Sequence, residues 1–496
     1  MSSMTWYPRR LAALFLCLVA LPAAAQSFRV QCPQSTLLHP AGSSGTEAHP
    51  GRIKCQEIAG GDGFATMADG NQIYLFGFGP LSGRELIDHG QPGTQTAADF
   101  NSDYDAVSAP NGAALEPAAI MNLGVLSAQE PAPMMAIDED DEFFLTLSNV
   151  GQIMRPDLFE QHTVHFHGYP NASSFFDGVP DASVAINIMG SFTYYYTAPD
   201  AGTYFWHCHI TPPEHLQMGM VGQLYVRPRQ NGVSSGVDLG NALYKNNLKA
   251  PGNPDGVTCS DILCTGQTPL PAAAALSHSS GVLKPAGAVK YAYNDGDGST
   301  QYDVEYPIQL MGFDPNFHYV GMTFNPEAFA DMKDKYFMIS GRGYPDTVNT
   351  DVDNGASPHG PMYTLDSDGA SRSSQPEATL ITINRTSGQK RALLRISDLN
   401  VTEFHTLATV GVPMLVIADN ARLLRDLAGK NLYYRTNSLT LGGGESADVI
   451  LDVSGPEYDK CSAAAACTFY LYTTNLDHLS NDAENFGGMM TEIRVL

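Results

Sequence analysis

Residues Trp206-His207-Cys208-His209 place three coordinating side chains in a row. An extended backbone is the conformation that turns the middle one away from its two neighbours. Upstream, His162-Thr163-Val164-His165-Phe166-His167 carries a second histidine-x-histidine pair, and His215 and Met220 follow the first cluster at short spacing. On strands, this parity groups His165 with His167 and His207 with His209, and it sends Cys208 to the opposite face. The sequence thus divides its own ligands. Cys208, His162, His215 and Met220 make one site, and His165, His167, His207 and His209 line another. Such a chain has to be rich in β-structure, and Phe143-Phe-Leu-Thr-Leu147 and Gly202-Thr-Tyr-Phe-Trp206 read as strands.

The first set combines two imidazoles, a thiolate and a thioether. Soft sulfur with imidazole selects copper, and two histidines, a cysteine and a weak axial methionine describe a blue, type 1, electron-transfer centre. Zinc fits poorly, because a thioether is a weak Zn²⁺ ligand. Met218 competes for the axial place, but Met220 has the better spacing from His215. Four imidazoles without sulfur suit a type 2 or type 3-like copper that binds oxygen species or small anions. Cys208 lies between His207 and His209, so a few covalent bonds would join the two sites. A lone buried histidine is usually a core residue; this many positions at consistent parity are not.

These residues resemble those of the multicopper oxidases and their cupredoxin relatives, including the copper nitrite reductases. The resemblance rests on His165-Phe-His167-Gly168, Asp177-Gly-Val-Pro180, Gly202-Thr-Tyr-Phe-Trp-His-Cys-His209, His215 with Gly219-Met220, and the closing run Val221-Gly-Gln-Leu-Tyr-Val226. In the second half, Tyr336-Phe-Met-Ile-Ser-Gly341, Ala392-Leu-Leu-Arg-Ile396, Phe404-His405 and Gly442-Gly-Gly-Glu-Ser-Ala-Asp-Val-Ile-Leu451 are similar to a further domain of that family. The resemblance implies an all-β fold of two cupredoxin-like Greek-key β-sandwiches with a long N-terminal extension and an interdomain linker. It also implies that His162, Cys208, His215 and Met220 hold type 1 copper, while His165, His167, His207 and His209 carry catalysis at a copper cluster that reduces O₂. The family's cluster takes eight histidines from two domains, and the first half here offers four. His405 and His478, which lie near the expected strands of the second half, are the further candidate metal ligands, supplied between subunits of a homotrimer.

Cysteine usage and the N-terminus point outward from the cytoplasm. Arg9-Arg10 precede an apolar run from Leu11 to Leu21, and Ala23-Ala-Ala25 suits cleavage, so residues 1–25 read as a signal peptide. Cys32/Cys55, Cys259/Cys264 and Cys461/Cys467 form close pairs and Cys208 stands alone, which predicts three disulfides and one reserved thiolate in an oxidising compartment. A periplasmic or secreted protein is expected. No later segment is apolar and long enough to span a membrane. The formal charge of −25 disfavours nucleic acid and anionic membrane surfaces as partners and favours cationic donors.

At 496 residues the chain exceeds a single core. The expected organisation is a disulfide-tied leader at 26–56, a copper-binding domain at 57–228, a linker at 229–288 and a second domain at 289–496. Residues 80–119 read as a surface insertion, Asp138-Glu-Asp-Asp-Glu142 as a solvated turn, and Asp351-Val-Asp-Asn-Gly355 as a loop lacking a distal glutamate for calcium. The reading as a whole is a copper-dependent oxidoreductase that oxidises an unidentified electron donor, a metal ion among the options, and reduces O₂. The alternatives are a nitrite-reductase-like enzyme with an intersubunit type 2 copper and a non-enzymatic copper electron carrier.

Overall fold

A computed structural model describes residues 28–43, 51–67, 71–103, 117–169, 173–198, 200–242, 279–323, 328–348, 363–365, 371–373, 377, 379–426 and 430–496. The signal peptide, the Cys259/Cys264 pair and the 351–355 loop lie outside these residues.

In the first β-sandwich, one sheet runs Gln72–Pro80, Ile53–Thr66, Glu142–Gly151, Ser191–Thr197, and the other runs Met135–Asp138, Val221–Arg227, Gly202–His207, His165–Phe166. Two pairings are parallel: Ile53–Thr66 with Glu142–Gly151, and Met135–Asp138 with Val221–Arg227. Strands adjacent in space are therefore distant in sequence, as a Greek-key sandwich requires. The second sandwich repeats this scheme. Val304–Phe313 pairs in parallel with Arg391–Asp398, and Ile381–Ile383 with Met490–Val495. The fold is all-β, with two cupredoxin-like sandwiches, as the sequence predicted.

Each sandwich has its own core. Phe76, Leu147, Tyr194, Trp206, Leu224 and their neighbours fill the first, and Ile308, Leu394, Val416, Val449 and Ile493 are among those filling the second. Along Phe205–Cys208 the side chains alternate between two environments. Trp206 and Cys208 enter the first core, whereas Phe205 joins Val221, Met311, Phe313 and Met338 in a cluster between the sandwiches. Polar contacts reinforce that junction: Gln223 donates to the Arg395 carbonyl and Ser397 Oγ, and Thr203 Oγ1 donates to Asp448.

Two loop readings change. Of the 80–119 stretch, Leu81, Ile87, Ala97 and Phe100 are buried, and Leu81, Ala97 and Phe100 pack with Phe28, Val30 and the Cys32–Cys55 disulfide in a third cluster. Nor is Asp138–Glu142 a solvated turn. Glu139, Asp141 and Glu142 are buried and accept hydrogen bonds from Ala201 N, Arg52 N and Tyr195 Oη. Charge runs tend to be solvated, but here only Asp138 is exposed, and tertiary donors replace water at the three buried carboxylates.

Arg395 of the second sandwich is wholly buried, 3.1 Å from Glu305 Oε2 and 3.6 Å from Asp448 Oδ1, with its guanidinium 4.8 Å from the Tyr225 ring of the first. Arg395→Ala removes the buried cation that Glu305 and Asp448 share, leaving Asp448 with hydroxyl partners alone, and should cost about 3–5 kcal/mol. Chemical denaturation checks this, and an unchanged midpoint would contradict it.

Candidate metal centres

The Gly202–His207 strand ends one residue before Cys208, and Cys208 N donates to the Met220 carbonyl at 3.1 Å. The Cys208 thiol is free and buried. Around it, His215 Nδ1 lies 3.3 Å from Sγ and the Thr163 amide donates to Sγ at 3.4 Å. A His162 ring nitrogen completes a group whose ligand atoms lie within 4.8 Å of one another. Met220, also buried, links the ring of ligands through its backbone, donating to the His215 carbonyl at 2.8 Å. Met218 turns instead toward Gly321.

The interval between Cys208 and His215 folds as a short helix, Pro212–Gln217, which begins on prolines pre-set for a first turn. Segments after residue 300 hold this helix in place. The Gln217 side chain donates to Asp334 Oδ1 at 3.0 Å and accepts from Asp314 N at 2.8 Å, and His318 Nε2 meets the Gln217 carbonyl at 2.8 Å.

The electrostatics suit a thiolate. Burial alone would raise the Cys208 thiol, but His215 and His162 beside it pull it well below its ordinary value. Burial would lower His215, but Cys208 and Glu160 hold it up, with Glu160 Oε2 3.7 Å from its Nε2. His162 is lowered, burial being the main cause, and neither of its buried ring nitrogens makes a well-formed hydrogen bond, although the Cys208 sulfur lies close by. An orphaned imidazole in a core is costly unless something else binds it. The donor set and that orphan together fit a copper ion.

The second group lies across the backbone from the first. His165 pairs with His207 in register, and ligand atoms of His165, His167 and His207 lie within 4.8 Å of one another. His209 lies beyond the strand end, its ring 5.1 Å from His165 and 5.5 Å from His207. Two of the three grouped rings spend Nδ1 on a backbone carbonyl. His165 Nδ1 donates to the Asp177 carbonyl at 2.7 Å and His207 Nδ1 to the Cys208 carbonyl at 2.6 Å. The His167 ring lies against the Gly444 backbone, with Cε1 and Nδ1 on that side. These bonds fix the tautomers of His165 and His207 and leave their Nε2 atoms carrying lone pairs. Burial, with His165 next, lowers His167 to about 4, and burial lowers His207 to about 3, so both stay neutral at pH 7. Their Nε2 atoms nevertheless lie 2.9 Å apart. Two ring nitrogens at that distance can share a proton or a metal ion, and a set of converging imidazoles is one that copper accepts. A cleft of about 370 Å³ opens beside His167, along Pro212, Pro213 and residues 400–404.

His405 and His478 do not join this group in the chain. Their rings lie 5.4 Å apart in the second sandwich. His405 uses both nitrogens, on Asp398 and Asn400, and His478 Nε2 meets Glu403 at 2.8 Å. Only His478 Nδ1 is left open. Sequence reading missed Glu160, Thr163, Gln217 and Gly444, whose roles come from contacts made after folding. Asp177, part of the Asp177-Gly-Val-Pro180 motif, meets His165 through its carbonyl.

Gln217→Leu should leave the Asp314 amide and an Asp334 oxygen without their partner, at about 1–3 kcal/mol for each buried group left unsatisfied. Faster reaction of the Cys208 thiol with a thiol reagent in metal-free protein is the expected sign. Unchanged reactivity would mean that the helix is held without Gln217.

Residues 119–231 match the multicopper oxidase family model. Multicopper oxidase MCE of Talaromyces pinophilus is 32% identical over 108 residues, covering 21% of this chain and 16% of that protein. Laccase abr2 of Aspergillus fumigatus is 30% identical over 124 residues, 25% of this chain and 19% of that protein. The matches thus span less than a fifth of either relative. Among solved structures, the blue copper oxidase of Nitrosomonas europaea overlays at TM-score 0.49 with 16% identity, covering 90% of this chain and 86% of that one. The copper nitrite reductase of the same organism overlays at 0.46 with 12% identity, covering 90% and 94%. At these scores nothing about activity or assembly is carried over. The stretch that matches the multicopper oxidase family model, residues 119–231, is the one that holds both histidine clusters and Cys208.

Proposed function

We propose that this protein is an exported copper-dependent oxidase that draws electrons from a donor at the Cys208 centre and reduces O₂ at the histidine centre. The observation that carries this reading is the convergence of ring nitrogens from His165, His167 and His207 one residue away from a buried cysteine–bis-histidine set. Copper would supply one-electron acceptance at Cys208, His162, His215 and Met220, and O₂ reduction at His165, His167, His207 and His209.

The chain's own residues do the rest. Thr163 steadies both sites, its amide donating to Cys208 Sγ and its hydroxyl accepting from His209 N. The His207–Cys208 carbonyl bond adds a second short link between the centres beside the covalent one. Glu160, partly exposed, sets a negative charge at the outer edge of His215, which suits a cationic donor such as a reduced metal ion. The low basicity of His167 and His207 keeps their nitrogens available as ligands. With His405 and His478 committed inside their own sandwich, the proposed ligand set is the eight residues between His162 and Met220. Among the described residues no helix is long and apolar enough to cross a membrane. The reading of a periplasmic or secreted protein rests on the signal-like N-terminus and the close cysteine pairs.

An oxygen electrode tests the activity. The reconstituted protein should consume O₂ with a reducing donor, without releasing peroxide, and Cys208→Ser should abolish both the intense visible band and the uptake. A blue band that survives Cys208→Ser, or nitrite turnover without O₂ uptake, would overturn the reading.

The pH dependence follows from the lowered histidines. A free imidazole half-protonates near pH 6.5, whereas protons compete for His167 only as the pH nears about 4. Copper at the histidine centre should therefore survive dialysis at pH 6.5 and leave as the pH approaches 4. Metal analysis across the series checks this; release centred on 6.5 would contradict it.

A further inference from the structure

The two sandwiches correspond residue by residue around the Cys208 centre. His165 lies opposite His207 and Phe166 opposite Trp206, so one step further Val164 faces Cys208. In the second sandwich Leu407 lies opposite Thr473. Aligning the two pairs sets Thr473 on Cys208, His405 on His162 and Glu403 on Glu160. The backbone agrees independently. Cys208 N donates to the Met220 carbonyl at 3.1 Å and Thr473 N to the Met489 carbonyl at 3.0 Å. Met220 N donates to the His215 carbonyl at 2.8 Å and Met489 N to the His478 carbonyl at 2.9 Å. His478 thus takes the place of His215, on a short 3₁₀ turn, Leu476–Leu479, where the first sandwich has the Pro212–Gln217 helix.

The side chains follow suit. The His162 and His215 rings are 5.4 Å apart, and so are those of His405 and His478. Glu160 faces His215 Nε2, and Glu403 faces His478 Nε2. His215 Nδ1 points at the Cys208 sulfur; its counterpart, His478 Nδ1, is buried with no partner. Met489 and Thr473 are fully buried, like Met220 and Cys208. The sequence carries the same repeat, Glu160-Gln-His-Thr163 against Glu403-Phe-His-Thr406 and Gly219-Met220 against Gly488-Met489. The partners of His165, His167, His207 and His209 are Ala408, Val410, Tyr472 and Thr474, so nothing of the histidine centre recurs.

We propose that the second sandwich carries the frame of a copper centre, with His405, His478, Met489 and Glu403 standing where the first has His162, His215, Met220 and Glu160, and with Thr473 in place of the thiolate. Restoring the thiolate converts this frame into a second copper site. A threonine hydroxyl is not deprotonated by neighbouring imidazoles as a thiol is, so the native frame lacks the soft anionic donor that selects copper. Without the ion, Asp398, Asn400 and Glu403 take up three of the four ring nitrogens.

The inference rests on the assignment of the Cys208 centre, and the two can fail separately. If wild-type protein shows no Cys208-dependent blue band, the assignment itself fails. Given that band, the test uses the full mature chain as Cys208→Ser, as Cys208→Ser with Thr473→Cys, and as that double variant with His405→Ala and, separately, His478→Ala. All are checked for cooperative melting and reconstituted with Cu²⁺. Cys208→Ser should lack the blue band. Thr473→Cys should restore an intense thiolate-to-copper band with one additional copper per chain, and each histidine variant should remove it. A folded double variant that takes up no additional copper would overturn the proposal. So would a band that persists without His405 and His478, since the new thiolate would then be binding copper adventitiously.

Discussion

The alternation of side chains from Phe205 to His209 is the constraint on which the rest depends. Strand pairing with His165–Phe166 on one side and Val221–Arg227 on the other holds this segment extended. Extension sends Trp206 and Cys208 into the core of the first sandwich and Phe205 and His207 toward the junction with the second. The two candidate centres then differ in kind because their surroundings differ. Cys208 sits in a dry core beside two imidazoles that favour its thiolate. The histidine group sits at a junction, next to a cleft, with the tautomers of His165 and His207 fixed by carbonyls from separate segments. A shift of one residue in this register would exchange the two faces and destroy both sites at once.

The parity argument made this arrangement legible in the sequence, because period-two geometry needs no tertiary information. It grouped His165, His167 and His207 apart from Cys208, His162 and His215 before any contact was known. The cysteine pairs 32/55 and 461/467 were legible for a similar reason: short separations left few alternatives. What escaped notice depends on contacts between distant segments. The Asp138–Glu142 run reads as solvated because nothing local announces the donors that cover it. Gln217 looks like any helix-surface residue until Asp314, His318 and Asp334 close over it. Gly444 gives no hint from its own sequence that it meets His167.

His405 and His478 are a different case. Their proximity to expected strands suggested ligands offered to a neighbouring subunit, yet both rings are buried and bonded within their own sandwich. The repeated Glu-x-His-Thr and Gly-Met motifs were visible in the sequence, but their meaning needed the strand register that superposes them. In this account the two sandwiches play different parts. The first carries the metal ligands, and the second buttresses them through Ser397, Asp334 and Gly444 while keeping the outline of a centre it no longer completes.

The most direct test of the central claim is the copper content of the reconstituted wild-type chain, read together with its electron paramagnetic resonance spectrum. The account predicts one copper with the narrow hyperfine splitting of a thiolate ligand and at least one more copper held by imidazoles alone. A single copper per chain, or a spectrum without the thiolate signature, would contradict it.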